Sequence, residues 1–183
     1  MNQTIVIYES KYGSTRRYAE WIAGALSCPV LERRSVRPSS LSEYDTIIYG
    51  GGLYAGGVSG ISLLTKNYDS IKEKNLVLFT CGVADPTDPV NVSHIREELT
   101  RVLTPDMMNA MQIFHLRGGI DYYRLNFIHK SMMAMLHKVM VSKDPSELTE
   151  EDHMMLDTYG KKVDFCDRNS IEPLVRYVCS LNA

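Results

Sequence analysis

Short, continuous apolar runs alternate along this chain with stretches of helical spacing. Ile5-Val6-Ile7-Tyr8 is β-branched and uninterrupted, as a strand covered on both faces should be. Glu9 to Ser14 is polar and contains Gly13, and from Thr15 to Leu26 the positions Tyr18, Ile22, Ala25 and Leu26 recur at helical spacing. Residues 28–33 read as a second strand and 38–44 as a connector. Thr46-Ile47-Ile48-Tyr49 reads as a third, buried strand that runs into the glycine-rich stretch Gly50–Gly57. The pattern then predicts a helix over 59–73, a strand at Leu76–Phe79, a helix over 91–103 and a fifth strand at Met111–Leu116. Near the end Thr149 and Asp152 have the spacing of a capping box. Leu156, Tyr159, Val163 and Cys166 follow on one helical face.

Strands alternating with helices imply right-handed βαβ units and a parallel sheet. The expected fold is α/β, a doubly wound five-stranded parallel sheet in the order 2-1-3-4-5, formed by residues 1–183 as one domain. Ligands of such sheets bind beyond the carboxyl ends of the strands, where the strand order reverses. The loops at 9–15, 51–58 and 80–89 should all emerge there, so a site is expected at that edge.

Composition and charge narrow the partners. A formal charge of −2 gives no general reason to expect nucleic acid. Cys28, Cys81, Cys166 and Cys179 are scattered, without a C-x-x-C pair or a histidine at ligand spacing. They read as free thiols of a reducing compartment, and no metal site is expected. Met1–Thr4 lacks the basic residues of a signal peptide, and no apolar run approaches the roughly 20 residues that span a bilayer. The expected location is therefore the cytoplasm. No Ser/His/Asp set or carboxylate pair is visible. His94, His115, His129, His137 and His153 read as surface or structural residues, Trp21 as packing, and Asp85 and Asp88 as turn residues beside Pro86 and Pro89.

Ser10-Lys11-Tyr12-Gly13-Ser14-Thr15 lies between a buried strand and a helix start. Successive backbone N–H groups, a glycine, three hydroxyls and the helix dipole make an anion cradle. It lacks the Gly-Lys-Ser/Thr ending of an ATP-binding loop. The pattern Ile5-x-Ile7-Tyr8-x-Ser10-x-x-Gly13-x-Thr15 resembles the N-terminal FMN-phosphate signature of the flavodoxin family. That resemblance implies a flavodoxin-like fold, FMN as cofactor, and phosphate binding by Ser10, Gly13, Ser14 and Thr15 with the Lys11 and Tyr12 backbones. It also implies two walls for the flavin ring. Gly51, Gly52, Leu53, Tyr54 and Ala55 form the first, with glycines free to reorient a peptide toward the half-reduced flavin and Tyr54 packing on the ring. Thr80, Cys81, Gly82 and Val83 form the second. Electron-carrier flavodoxins often place an aromatic residue in that second loop, and none occurs here between Thr80 and Val90. No catalytic side chain is expected, because the flavin carries the chemistry.

After the fifth strand an insertion over 117–148 is expected before the last main helix. Arg117, Arg124, Lys130, Lys138 and Lys143 face one acid, Asp121, between 117 and 143. Helical spacing gathers Leu125, Ile128, Met132, Met135, Leu136 and Val139 on one side, with Asn126, Lys130, His137 and Lys138 on the other. Two readings follow: an extra helix that packs its apolar face on the domain, or a lid that meets a substrate, a partner or a membrane surface through 120–143. Gly118-Gly119-Ile120-Asp121-Tyr122-Tyr123-Arg124, followed by Phe127-Ile128-x-Lys130-x-Met132-Met133, resembles the insertion of the menaquinone-dependent protoporphyrinogen oxidases. Tyr44–Gly50 resembles their third strand. This narrower resemblance implies an FMN oxidoreductase linked to a quinone, peripheral at the inner face of the membrane. The alternative is a flavodoxin-type electron carrier for protein redox partners.

Overall fold

The computed structural model describes residues 3–54 and 57–181. The elements run β1 (Thr4–Glu9), α1 (Ser14–Leu26), β2 (Val30–Glu32), β3 (Thr46–Tyr54), β4 (Gly57–Val58), α2 (Ser62–Thr65), α3 (Tyr68–Ile71), β5 (Asn75–Gly82), α4 (Pro89–Leu99) and α5 (Pro105–Ala110). They continue with β6 (Met111–Arg117), β7 (Gly119–Asp121), α6 (Phe127–Val141), α7 (Glu150–Thr158), β8 (Lys162–Asp164) and α8 (Glu172–Ser180). The main sheet has the order β2-β1-β3-β5-β6, with every one of these neighbours parallel. That is the expected 2-1-3-4-5 order, to which the short β4 adds an antiparallel partner for the end of β3.

Strand alternation divides the core. Ile5, Ile7, Ile47, Tyr49, Leu76 and Leu78 face the layer of α2, α3 and the ends of α4 and α5. Val6, Ile48, Val77, Phe79 and Leu116 face α1 and α8, where Tyr18, Ile22, Leu174 and Val178 are fully buried. Residues directed alternately to two apolar layers explain why the strand runs lack polar interruptions.

Three local expectations are corrected. The helix expected over 59–73 is two separate single turns, α2 and α3, joined through Asn67, whose side chain donates to the Leu63 carbonyl at 2.7 Å. Gly51–Tyr54 is not loop but the end of β3. Glycines here let other groups come close: a Cβ on Gly50 would run into the Phe79 ring, and one on Gly51 into Val58. The positive φ of this segment falls instead on Gly57, at 105°. The helix expected to carry Leu156, Tyr159, Val163 and Cys166 stops at Thr158, because the chain turns through Gly160 (φ 74°) into β8. Its capping box is present: the Thr149 hydroxyl accepts from the Asp152 N–H at 3.1 Å and the Asp152 carboxylate from the Thr149 N–H at 3.2 Å.

The excursion that leaves β6 at Arg117 reaches α8 only at Glu172, and its base is closed. The Tyr18 hydroxyl donates to the Arg117 carbonyl at 2.7 Å and accepts from the Asp167 N–H at 3.1 Å. Between these points β7 and β8 pair antiparallel. Arg17 of α1 makes two hydrogen bonds to the Asp164 carboxylate, at 2.6 and 2.9 Å, holding that acid near a pKa of about 2.

α6 lies on the body of the protein in an orientation that hydropathy does not anticipate. Its inward positions are His129, Met133, His137 and the buried Met140. His137 stacks on Tyr159 with ring centroids 3.9 Å apart. Phe127 is 84% exposed, Ile128 64% and Met135 71%, with Met132, Leu136, Val139 and Val141 exposed as well. The reading in which this helix buries its apolar face on the domain is therefore overturned. Among the described residues no helix is long and apolar enough to cross a membrane.

Candidate functional site

The carboxyl ends of β1, β3, β5 and β6 are Glu9, Tyr54, Gly82 and Arg117, and the order reverses between β1 and β3. In register Glu9 pairs with Gly51, and Gly52 with Cys81. The Ser10–Thr15 loop, the end of β3 and the segment after β5 therefore lie side by side at that edge.

The Ser10–Thr15 loop turns on Gly13, whose φ of 104° only glycine adopts without strain. The Ser10 hydroxyl accepts from the Gly13 N–H at 3.1 Å, which shapes the loop ahead of the helix. Gly13 is the N-cap of α1, no side chain caps that terminus, and the first turn holds no acid. Unsatisfied N–H groups and the positive end of a three-turn helix are what an oxyanion requires. Thr15 is buried beside Cys81. Burial pushes the Cys81 thiol up to about 12, so it is a packing group at neutral pH rather than a nucleophile. The Ser14 hydroxyl accepts from the Gly119 N–H at 3.3 Å, which draws the excursion against the loop.

Of the first wall, Gly52 and Tyr54 belong together: a Cβ on Gly52 would strike the Tyr54 ring at 2.8 Å. Tyr54 packs edge-on against Tyr12 (centroids 6.0 Å) and face-on against His129 (5.2 Å, 29°). Burial raises its hydroxyl to about 12, so it stays protonated. Ala55 lies outside the described residues. Leu53 leans on Gly82, where a Cβ would lie 3.1 Å from its Cδ1, so the first and second walls touch.

The second wall offers mainly backbone. Thr80 is fully buried and its hydroxyl is 2.7 Å from His115 Nδ1. The Gly82 carbonyl accepts from the Gly118 N–H at 2.6 Å. The Val83 carbonyl accepts from Arg117 Nε at 3.1 Å, and Arg117 pairs with Asp85 at 2.7 Å. Thr80 and Cys81 are thus turned inward, and Gly82 and Val83 are the members of this set left at the edge. Beyond Val83, a cavity of about 250 Å³ lies among Asp85, Asp88, Asn91, Arg117, Glu150 and Met154.

The residue that sequence reasoning missed is His129. The sequence reads it as a surface or structural residue, yet its Nδ1 meets the Tyr12 hydroxyl at 2.8 Å and its ring lies on Tyr54. Nothing local to Phe127–Met132 announces this, since the partners lie in the phosphate loop and the first wall.

A doubly wound sheet with an uncapped glycine-led helix at its switch point defines a mononucleotide-binding α/β protein. The chain belongs to the flavodoxin family: the family described as Flavodoxin domain matches residues 5–148. No curated protein matches it. Among solved structures, a WrbA-like flavodoxin from Agrobacterium tumefaciens is 23% identical, with 55% of this chain and 73% of that chain covered and a TM-score of 0.40. Oxidised flavodoxin 1 from Bacillus cereus is 23% identical, covering 63% of this chain and 86% of that chain, with a TM-score of 0.36. The two-electron reduced flavodoxin of Megasphaera elsdenii is 11% identical, covering 62% and 82%, with a TM-score of 0.42.

The cofactor of this family is FMN, and the chain is an FMN-binding flavoprotein. The residues present fit it. The uncapped α1 terminus, the acid-free first turn and the Ser10 and Ser14 hydroxyls suit a dianionic phosphate. The Tyr12–Tyr54–His129 group beside them offers aromatic surface for a planar ring.

Proposed function

We propose that the protein is an FMN-dependent oxidoreductase that works at an anionic lipid surface and delivers electrons to a quinone held there, as the resemblance to menaquinone-dependent protoporphyrinogen oxidases implies. The observation that carries this reading is the orientation of α6, which keeps histidines inward and leaves Phe127, Ile128 and Met135 outward beside exposed Lys130 and Lys138. Apolar side chains with lysines among them suit a helix lying in the headgroup region, where burial of the former and attraction of the latter act together.

Bound FMN supplies the redox chemistry, accepting hydrogen from a donor and passing electrons on. The chain's own residues do the rest. Ser10–Thr15 holds the phosphate, the Leu53–Gly82 contact closes the gap between the walls, and the base of the excursion fixes α6 against the same edge. Delivery at the membrane would place the cofactor edge close to a lipid-borne acceptor. Cytoplasmic location with attachment at the inner membrane face follows from the same reading.

The test uses photoreduced protein and phosphatidylcholine vesicles, with and without phosphatidylserine, that carry a quinone. The wild type should sediment with the anionic vesicles, less so at high salt. A Phe127→Ser/Ile128→Ser/Met135→Ser variant should reduce the vesicle-borne quinone at least about tenfold more slowly while reducing a water-soluble acceptor at the original rate. Equal quinone rates in the two proteins would remove the membrane reading and leave a flavodoxin-type carrier for a protein partner.

A further inference from the structure

Most of the second wall is spent on other contacts, and it has no aromatic residue from Thr80 to Val90. The excursion, however, brings a ring to the site from another direction. His129 stands in the first turn of α6, whose N-cap, Asn126, is fastened to the phosphate loop. The Asn126 carboxamide oxygen accepts from the His129 N–H at 2.8 Å, and the Asn126 N–H reaches the Tyr12 hydroxyl at 3.4 Å. That hydroxyl lies 2.8 Å from His129 Nδ1. A phenol that accepts from Asn126 keeps its own hydrogen free to donate to Nδ1, the arrangement in which the imidazole is neutral with its proton on Nε2.

Charge and burial agree with a neutral ring. Partial burial and the nearby Lys11 ammonium both hold the His129 pKa below the ordinary histidine value. Tyr54, whose ring lies face-on against it, stays an un-ionised phenol. Among the described residues Nε2 makes no hydrogen bond, so that nitrogen remains available at the rim of the site.

We propose that His129 supplies, from the insertion helix, the aromatic cover for the FMN ring that the second wall lacks. Tyr12 belongs to the loop that takes the phosphate and Tyr54 to the first wall of the ring site, and His129 touches both. A flavin that reaches from one to the other must pass beside the imidazole. A neutral imidazole gives a planar surface for stacking and a donor for the polar edge of the ring. The inference rests on the FMN site described above and adds to it a residue outside the flavin loops.

The test is equilibrium binding of FMN and of riboflavin to the intact chain, followed by flavin absorbance and fluorescence, with circular dichroism as the check on folding. His129→Ala should weaken both ligands by a similar factor, between about twofold and tenfold, and shift the bound-flavin spectrum. His129→Phe keeps a ring without the hydrogen bond and should restore affinity. His129→Gln keeps hydrogen bonding without a ring and should behave like the alanine variant. Wild-type affinity and spectrum in His129→Ala would overturn the proposal. So would rescue by Gln but not by Phe, which would make His129 a latch for α6. If the alanine variant misfolds, the Phe and Gln pair decides alone. Failure of the wild type to bind either ligand would strike at the FMN reading itself.

Discussion

His115 shows at single-residue scale how the sheet constrains chemistry near the site. It sits on β6 with Nδ1 bonded to Thr80, and Nε2 is buried with no hydrogen-bond partner among the described residues. Burial, with a smaller push from Arg96, lowers its pKa to about 4. The unfolded chain therefore binds this proton before the folded one does. Stability is complete above the ordinary histidine pKa near 6.5 and is lost as pH falls from there toward 4. His115→Gln should flatten that slope, which, reduced by solvent screening of the partly exposed ring, is on the order of 2 kcal/mol across the window. Urea titrations at a series of pH values would check it, and an unchanged slope would assign the loss to other groups. The sequence could not show this, because β-strand position says nothing about which polar neighbour a histidine will meet. The glycines after Tyr49 were likewise legible as special but not in kind. Their role on β3 is close approach to Phe79 and Val58, visible only once the neighbouring chains are placed.

Among the elements, the strands were the most legible and the helices outside the sheet the least. Uninterrupted apolar runs such as Ile5–Tyr8 and Leu76–Phe79 must be covered on both faces, so period and burial agree. Stretch 59–73 has helical spacing, but Gly60 with φ 69° and the Asn67 break confine it to two turns. α6 fails in a more informative way. Of the expected apolar side, Ile128, Met132, Met135, Leu136 and Val139 face outward and only Leu125 is buried, while Lys130 and Lys138 of the expected polar side are exposed as well. His137 stacks on Tyr159, and Lys143 pairs with Asp152 at 2.8 Å just beyond the helix. These contacts hold the face of His129, Met133, His137 and Met140 inward. The element-scale prediction follows from the exposures: replacing Phe127, Ile128 and Met135 by serine should change unfolding free energy by no more than about 0.5 kcal/mol per site. Met140→Ala, at a position 7% exposed, should cost about 2 kcal/mol or more. Thermal and urea denaturation would show the contrast. A large loss on the outward side would mean that those residues are buried in solution, against this orientation.

For the whole molecule, sheet order and edge follow from the alternation of elements, and the family match over residues 5–148 agrees with the phosphate-loop pattern. What the sequence concealed is the way the excursion returns across that edge through Tyr18, β7, β8 and the Ser14–Gly119 contact. These are long-range contacts with no local signature. The account stands on the FMN phosphate being held at the uncapped terminus of α1. Titrating the apoprotein with FMN and with riboflavin, which lacks the phosphate, tests that most directly. Several charge-assisted hydrogen bonds, each worth about 1.5–3 kcal/mol, predict that FMN binds more than about a hundredfold tighter. Equal affinity for the two ligands would contradict the placement of the cofactor.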